Sequence, residues 1–288
     1  MSLTSRRITL QFTLGQGDFG SAGQDTVTLE GLRCSVNIVR GGLYGGQADV
    51  QVWGMSLDLM NRLTVTQKFF FEGRPNNALT ISAGDEAGTS VCFTGGILEA
   101  WADGRQQPDV MFHVTAVAGL VDLSQPISAT SFRGGVDAAL AIQQIAGQIG
   151  YAFENSGVQA TLTNPYKPGS AKAQIESICR DVDCKVDFDE TRKVVAIWPK
   201  GAARQGSIIE ISPATGLVGY PAFSQGGIQI TTLYNPALEF GRKFRLKSQF
   251  EPANGEWEVY GLAHRLEANV PGGQWFSDIQ ANYLEFAQ

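Results

Sequence analysis

The sequence predicts a mainly β protein with an α+β insertion, in which two antiparallel β-barrel domains flank a small helix-strand domain. Both ends of the chain alternate apolar and polar residues, which is typical of half-buried strands. The middle instead places apolar residues on one face of a helix. Glycine supplies 34 of 288 residues, against about 7 % in an average protein, and this suits the turns and corners of barrels.

The domain boundaries are expected where this periodicity changes. Strand patterns fill residues 1–120, helices and strands alternate over residues 121–205, and strand patterns return over residues 206–288. We therefore predict a first β-barrel domain, a small α+β domain and a second β-barrel domain with these bounds.

Strands dominate the first predicted domain. Ile8 to Leu14 alternates with polar residues, which favours a strand over the continuous apolar segment of a signal peptide. No run approaches the roughly 18 apolar residues of a membrane span, so we expect no direct membrane insertion. The other predicted elements are a strand at Thr26–Leu29, a hairpin turning at Gly41–Gly46, a short helix at Met55–Leu63, and strands at Phe69–Phe71, Leu79–Ser82, Val91–Trp101 and Val110–Val117.

Two amphipathic helices are predicted in the middle domain, at Gly135–Gly150 and from Ser170 onward. Ser170 is the expected N-cap of the second helix, and Gly150 the expected C-terminal cap of the first. Strands should follow the helices at Tyr151–Glu154, Cys184–Phe188 and Val194–Trp198. The last domain should contain strands at Ile208–Ile211, Ile228–Leu233, Phe244–Leu246, Glu256–Leu266 and Trp275–Leu284.

The charge balance excludes a tight nucleic-acid binder. The formal net charge is −6, the isoelectric point is near 5.0, and only 17 % of the residues are charged. One basic segment, Arg242–Lys247, alternates cations with Phe244 and Leu246. A solvated strand face is therefore favoured there over a phosphate contact.

The four cysteines do not form the framework of a small secreted protein. Cys34, Cys92, Cys179 and Cys184 are scattered along the chain, which fits a reducing compartment and small buried side chains. Cys179 and Cys184 enclose four residues rather than two, and only two histidines are present. A zinc site is therefore not expected.

A literal G-x-G-x-x-G motif at Gly15–Gly20 is rejected as a nucleotide site. The residues after it, Thr26–Leu29, predict a strand, whereas the motif binds pyrophosphate only at the start of a helix. A glycine-rich connection between strands is the better interpretation.

The remaining candidates for catalysis are two histidines and an acidic cluster. His113 and His264 each lie in an alternating strand, where a structural histidine is the default. The cluster Asp181, Asp183, Asp187, Asp189 and Glu190 lacks the glycine of a calcium loop and fits a helix end plus a hairpin tip. We predict no catalytic, cofactor-binding or metal-binding residues. The sequence by itself does not exclude an enzymatic function.

Residues 226–274 resemble bacteriophage tail hub, or baseplate hub, proteins. Gly227–Gly241 reads as a strand, an Asn-Pro turn at Asn235–Pro236 and a glycine that restarts the next strand. Trp257–Leu266 followed by Pro271–Trp275 is similar to the ending of that family. Residues 53–64 and 108–114 resemble hub strands as well, so the likeness touches both β-rich ends.

The resemblance implies a structural virion protein rather than an enzyme. It implies a homotrimer whose two tail-tube-like barrels per chain form a pseudo-sixfold ring between a sixfold tail tube and a threefold central spike. Such hubs are related to the hub part of contractile secretion spikes. The expected partners are other copies of the chain, a tail tube or distal tail protein, a tape measure protein, and DNA only in transient, non-specific passage.

Further expectations follow from the same resemblance. The sequence ends at Gln288 with no appended lysozyme or spike domain, so a separate spike or tip protein is expected. The protein should be made in the bacterial cytoplasm and incorporated at the tail tip or baseplate, and its acidity would suit a DNA channel. The alternative function is a carbohydrate-binding or glycan-hydrolysing β protein.

Overall fold

The computed structural model describes residues 5–20, 23–41, 46–66, 75–105, 107–120, 123 and 125–284. Strands account for 53 % of the residues and helices for 12 %, which confirms the mainly β class. Within the described part, every strand predicted above coincides with an observed one. The predicted strand at Phe69–Phe71 and residues 42–45 of the predicted turn lie outside the described residues.

The described strands are, in chain order, β1 (Arg7–Thr13), β2 (Thr26–Glu30), β3 (Arg33–Arg40), β4 (Gly46–Trp53), β5 (Ala78–Asp85), β6 (Gly88–Asp103), β7 (Met111–Val117), β8 (Thr130–Ser131), β9 (Gly135–Asp137), β10 (Ala152–Asn155), β11 (Thr161–Thr163), β12 (Tyr166–Lys167), β13 (Cys184–Asp189), β14 (Val194–Pro199), β15 (Arg204–Ile211), β16 (Leu217–Ser224), β17 (Gly227–Leu233), β18 (Arg242–Leu246), β19 (Gly255–Ala268) and β20 (Trp275–Tyr283). The helices are α1 (Leu57–Leu63), α2 (Ala138–Gln148) and α3 (Ala171–Asp181), with a 3-10 turn at Glu251–Ala253.

The chain divides by its internal contacts into two compact units. The first contains residues 1–120, 233–236 and 263–278, and the second contains residues 121–232, 237–262 and 279–288. These units group residues by contact and do not define folding domains, so the three-domain division at 120 and 205 stays a prediction.

The first unit is an antiparallel sheet over one apolar core. Its strand order is β2-β1-β5-β6-β7-β4-β3, followed by the parts of β19 and β20 that belong to this unit. Alternate side chains point inward, and Phe12, Phe93 and Phe112 are at most 1 % exposed. Helix α1 adds Met60 and Leu63 to this core.

The second unit combines a sheet with a helix-strand module. The sheet has the order β16-β17-β20-β19-β18-β15, in which β18 and β15 run parallel. The module contains the three-stranded sheet β10-β14-β13 and helices α2 and α3. Both helices bury isoleucines, such as Ile142 and Ile175, in a core shared with β14.

The helix ends explain where α2 and α3 begin. Ser170 Oγ accepts a hydrogen bond from Ala173 N at 3.3 Å, which confirms the predicted N-cap. Helix α2 begins later than predicted because Asp137, at the end of β9, caps it by accepting from Ala139 N at 2.7 Å. Gly150 follows α2 with a φ of 74°, as expected of a C-terminal cap.

The predicted closed barrels are not confirmed. Closure requires hydrogen bonds between the first and last strands of a sheet. Among the described residues, β2 pairs only with β1, and β16 pairs only with β17. Both sheets therefore have outer strands at these positions.

Candidate functional site

Two rows of polar side chains cross the first unit on the face opposite its core. The register of β3, β4, β7 and β6 aligns Asn37, Asp49, Thr115 and Glu99 in one row. The adjacent row contains Ser35, Gln51, His113 and Trp101. These eight residues are called the polar face below.

Hydrogen bonds order the polar face and extend it to β19. Thr115 Oγ1 donates to Asp49 Oδ1 at 2.9 Å, and Ser35 Oγ donates to Glu267 Oε1 at 3.2 Å. A shallow cleft of about 280 Å³ is lined by the members of both rows on β3, β4 and β7. The eight side chains include two carboxylates and no lysine or arginine, so the face is acidic.

His113 is one component of this face. Its ring stacks on Trp101, with the centroids 4.2 Å apart and the planes 19° apart. Partial burial lowers the pKa of His113, although the charge of Asp103 opposes this shift. The pKa of Asp103 is itself held at about 2, chiefly by hydrogen bonds from Arg105. His113 is therefore neutral at pH 7 and adds no positive charge to the face.

The second unit carries exposed apolar side chains on its outer strand β16. Val218, Tyr220 and Phe223 are 40–63 % exposed, and Phe250 beside Tyr220 is 48 % exposed. The Tyr220 and Phe250 rings meet edge to face at 5.3 Å. These four residues are called the edge patch below. Exposed apolar side chains on an outer strand are typical of a surface that contacts another chain.

His264, the other predicted histidine, belongs to the first unit and is 4 % exposed. Its Nδ1 lies 2.8 Å from Ser277 Oγ, and Tyr234 packs edge to face against its ring at 5.2 Å. Among the described residues, no carboxylate is hydrogen-bonded to the His264 ring. The structure therefore does not bring His113 and His264 together, and the serine beside His264 is buried with it.

Each member of the acidic cluster forms an ion pair with a neighbouring cation. The pairs are Asp181 with Lys167, Asp183 with Lys200, Asp187 with Arg204, Asp189 with Arg192, and Glu190 with Lys193. Asp181 ends α3 and Glu190 lies in the turn after β13, as the helix-end and hairpin-tip interpretation expected. Among the described residues, no group of three or more His, Cys, Asp or Glu side chains could hold a metal ion.

Arg204 is the centre of a buried ion network in the second unit. Its side chain is 1 % exposed, and its guanidinium donates to Glu154 Oε2 at 2.9 Å and to Asp187 Oδ2 at 3.0 Å. Burial alone would lower the pKa of Arg204, but the two carboxylates raise it. This network joins β10 and β13 of the module to β15, so it supports the fold.

The basic segment of β18 is also paired with carboxylates. Arg242 contacts Glu239, Lys243 and Arg245 contact Glu256, and Lys247 contacts Glu210. The G-x-G-x-x-G segment connects β1 to β2, with Gly17 and Gly20 at φ values of 86° and 89°. The described part of this connection contains no helix that could receive a pyrophosphate.

The sequence reasoning did not find the polar face or the edge patch. Alternation in β3, β4 and β7 identifies their polar positions, but not which of them align across strands. Strand β16 was missed because Gly219 and Pro221 interrupt its pattern, and the pairing of β16 with β17 shifts between Val218 and Ala222. In the described residues, no helix is long and apolar enough to cross a membrane.

A family model described as "Baseplate hub gp41" matches residues 8–270. The chain belongs to this baseplate hub family. Membership gives it a structural role in a phage tail or baseplate and confirms the resemblance seen in residues 226–274. No curated protein matches the sequence.

Solved structures similar to this baseplate hub chain include tail proteins. A tail protein from Neisseria meningitidis has a TM-score of 0.63 at 8 % identity and covers 97 % of each chain. The 43 kDa tail protein of prophage MuSo2 from Shewanella oneidensis has a TM-score of 0.60 at 9 % identity, over 96 % of this chain and 98 % of that one.

A secretion protein has a similar fold. An E. coli component of the type VI secretion system has a TM-score of 0.55 at 10 % identity, over 96 % of this chain and 77 % of that one. That protein is described as structurally similar to T4 bacteriophage tail proteins gp27 and gp5. At these identities the likeness establishes a common fold.

Proposed function

We propose that this baseplate hub protein is a homotrimer that joins the sixfold tail tube to the threefold central spike. The observation that carries the proposal is the family match over residues 8–270. The similarity of its fold to those of two tail proteins, over 96–97 % of this chain, supports the proposal. The trimer and the joining position come from the resemblance in residues 226–274.

Each chain contributes two tail-tube-like barrel domains in this proposal, so three chains provide six. Copies arranged around an axis would cover outer strands such as β2 and β16, which pair on one side only among the described residues. The edge patch supports contact between copies, because exposed aromatic residues such as Tyr220 and Phe250 are favoured in protein interfaces.

The polar face is the proposed lining of the DNA passage. Asp49 and Glu99 would repel the phosphate backbone, and none of the other six residues of the face is a lysine or an arginine. DNA would then pass through transiently without being retained. The hub acts through its shape and charge, with no catalytic step and no cofactor.

The proposed partners follow from this position. They are other copies of the chain, a tail tube or distal tail protein, a tape measure protein, and a central spike or tip protein. The chain would be made in the bacterial cytoplasm and assembled into the tail tip or baseplate of the virion.

Native mass spectrometry of the purified protein tests the proposal. The hub function predicts a species of three 31.0 kDa chains that neither binds nor cleaves glycans. A monomer that binds or hydrolyses a glycan would instead support the alternative function and contradict the hub.

A further inference from the structure

Cys179 and Cys184 are neighbours in the helix-strand module. Cys179 lies in the last turn of α3, and Cys184 is the first residue of β13. Between them, Val182 N donates to Ile178 O at 3.2 Å, and Asp183 has a φ of 50°. This left-handed residue reverses the chain after the helix, as helix C-termini commonly do.

The two thiols contact each other within one apolar core. Cys179 is buried in the cluster that contains the isoleucines of α2 and α3, and Cys184 packs against that cluster. The left-handed Asp183 brings the two side chains together, as a chain reversal at a helix end commonly does for the residues on either side of it. Adjacent thiols on a short connection can form a disulfide when their side chains converge.

The two cysteines differ in accessibility. Cys179 is 3 % exposed, whereas Cys184 is only partly buried. Contact with Cys179 lowers the pKa of Cys184, and the same contact together with burial raises the pKa of Cys179. Burial raises the pKa of Cys34 to about 11 and that of Cys92 to about 12. Cys184 is thus the cysteine best suited to react first.

We propose that Cys184 and Cys179 form a reversible intramolecular disulfide by exchange with a small-molecule disulfide such as oxidised glutathione. The modification is independent of whether the chain is a trimeric hub. It would link the end of α3 covalently to the start of β13 when the protein leaves the reducing cytoplasm.

The exchange proceeds in two balanced steps. The Cys184 thiolate attacks one sulfur of the small disulfide, which forms a mixed disulfide at Cys184 and releases one small thiolate that takes up a proton. The Cys179 thiol then loses its proton and attacks the Cys184 sulfur, which releases the second small thiol. The two cysteines are oxidised, and the small disulfide is reduced to two thiols.

Peptide mapping tests the proposal on the full-length wild-type protein. The folded protein is incubated with oxidised glutathione, quenched in acid, unfolded, alkylated and digested with trypsin. Because Arg180 lies between the two cysteines, cleavage after Lys172, Arg180 and Lys185 puts Cys179 in peptide 173–180 and Cys184 in peptide 181–185. We expect these two peptides to be recovered joined by a disulfide, with Cys34 and Cys92 alkylated.

Two single variants check the order of the steps, with circular dichroism as the check on folding. Cys179→Ser should accumulate glutathione on Cys184, because no second thiol resolves the mixed disulfide. Cys184→Ser should leave Cys179 alkylatable. Recovery of both wild-type peptides unlinked would overturn the proposal, as would cross-links to Cys34 or Cys92 in equal yield. A folded Cys179→Ser protein without glutathione on Cys184 would overturn the assigned order of attack.

Discussion

Nδ1 of His264 lies 2.8 Å from Oγ of Ser277, and both side chains are buried in the first unit. Burial lowers the pKa of His264 to about 3, and the charge of Arg40 acts in the same direction. The ring is therefore neutral in the folded protein at pH 7. It forms part of the contact between β19 and β20.

His264 should make stability depend on pH. Unfolded histidine has a pKa of about 6.5, so between pH 6.5 and 3 the unfolded state binds a proton that the folded state does not. The free energy of unfolding should therefore fall as the pH falls, by about 1.4 kcal/mol per pH unit from this residue. Urea denaturation of wild type and His264→Asn from pH 7 to 4 measures the difference.

The variant should lose this component of the pH dependence. His113→Asn is the control, because His113 is more exposed, and it should retain the component due to His264. If the free energy of unfolding changes with pH equally in wild type and His264→Asn, the pKa of His264 is not lowered in the folded state.

Gly241→Ala should be strongly destabilising for two reasons. Gly241 has a φ of 79°, and an added Cβ would lie 2.7 Å from the ring of the fully buried Trp198. We expect the free energy of unfolding to fall by about 1–2 kcal/mol because of the left-handed backbone, and by about 1–3 kcal/mol more because of overpacking. Gly201→Ala is the matched control, since Gly201 has a φ of 81° with no atom within 4 Å of its added Cβ. If urea denaturation gives the same loss of unfolding free energy for Gly241→Ala and Gly201→Ala, the role of the Trp198 contact is refuted.

Arg204→Met should lower the free energy of unfolding by about 3–5 kcal/mol, because it removes a buried cation that pairs with Asp187 and Glu154. Arg245→Met is the control. Arg245 is 51 % exposed and pairs with Glu256 at the surface. Its replacement should lower the free energy of unfolding by at most about 1 kcal/mol. Chemical denaturation of both variants measures the contrast. A loss for Arg204→Met as small as that of the control would show that the network contributes little.

The double variant Tyr220→Ser, Phe250→Ser should reduce assembly without unfolding the chain. Both side chains are about half exposed or more, so their removal exposes little core. In an interface, however, buried aromatic residues contribute a large share of the binding energy. Tyr166→Ser, which removes another exposed tyrosine, is the control. Native mass spectra in which the double variant assembles as well as the control would exclude the edge patch from the interface.

The sequence predicts the elements of this fold better than their arrangement. Alternation and capping are local, so the strands and the Ser170 cap could be identified from neighbouring residues. The alignment of Asp49 with Thr115 and the approach of Trp198 to Gly241 depend on strand register and packing between distant segments. Neither leaves a local signal. The family could be inferred from the sequence because the Asn-Pro turn and the glycine after it resemble those of a known family.

Electron microscopy of the isolated protein tests the central claim most directly. The account predicts a ring of three chains with pseudo-sixfold symmetry and with Asp49 and Glu99 facing the lumen. Single chains without a ring, or a lumen lined mainly by lysine and arginine, would contradict it.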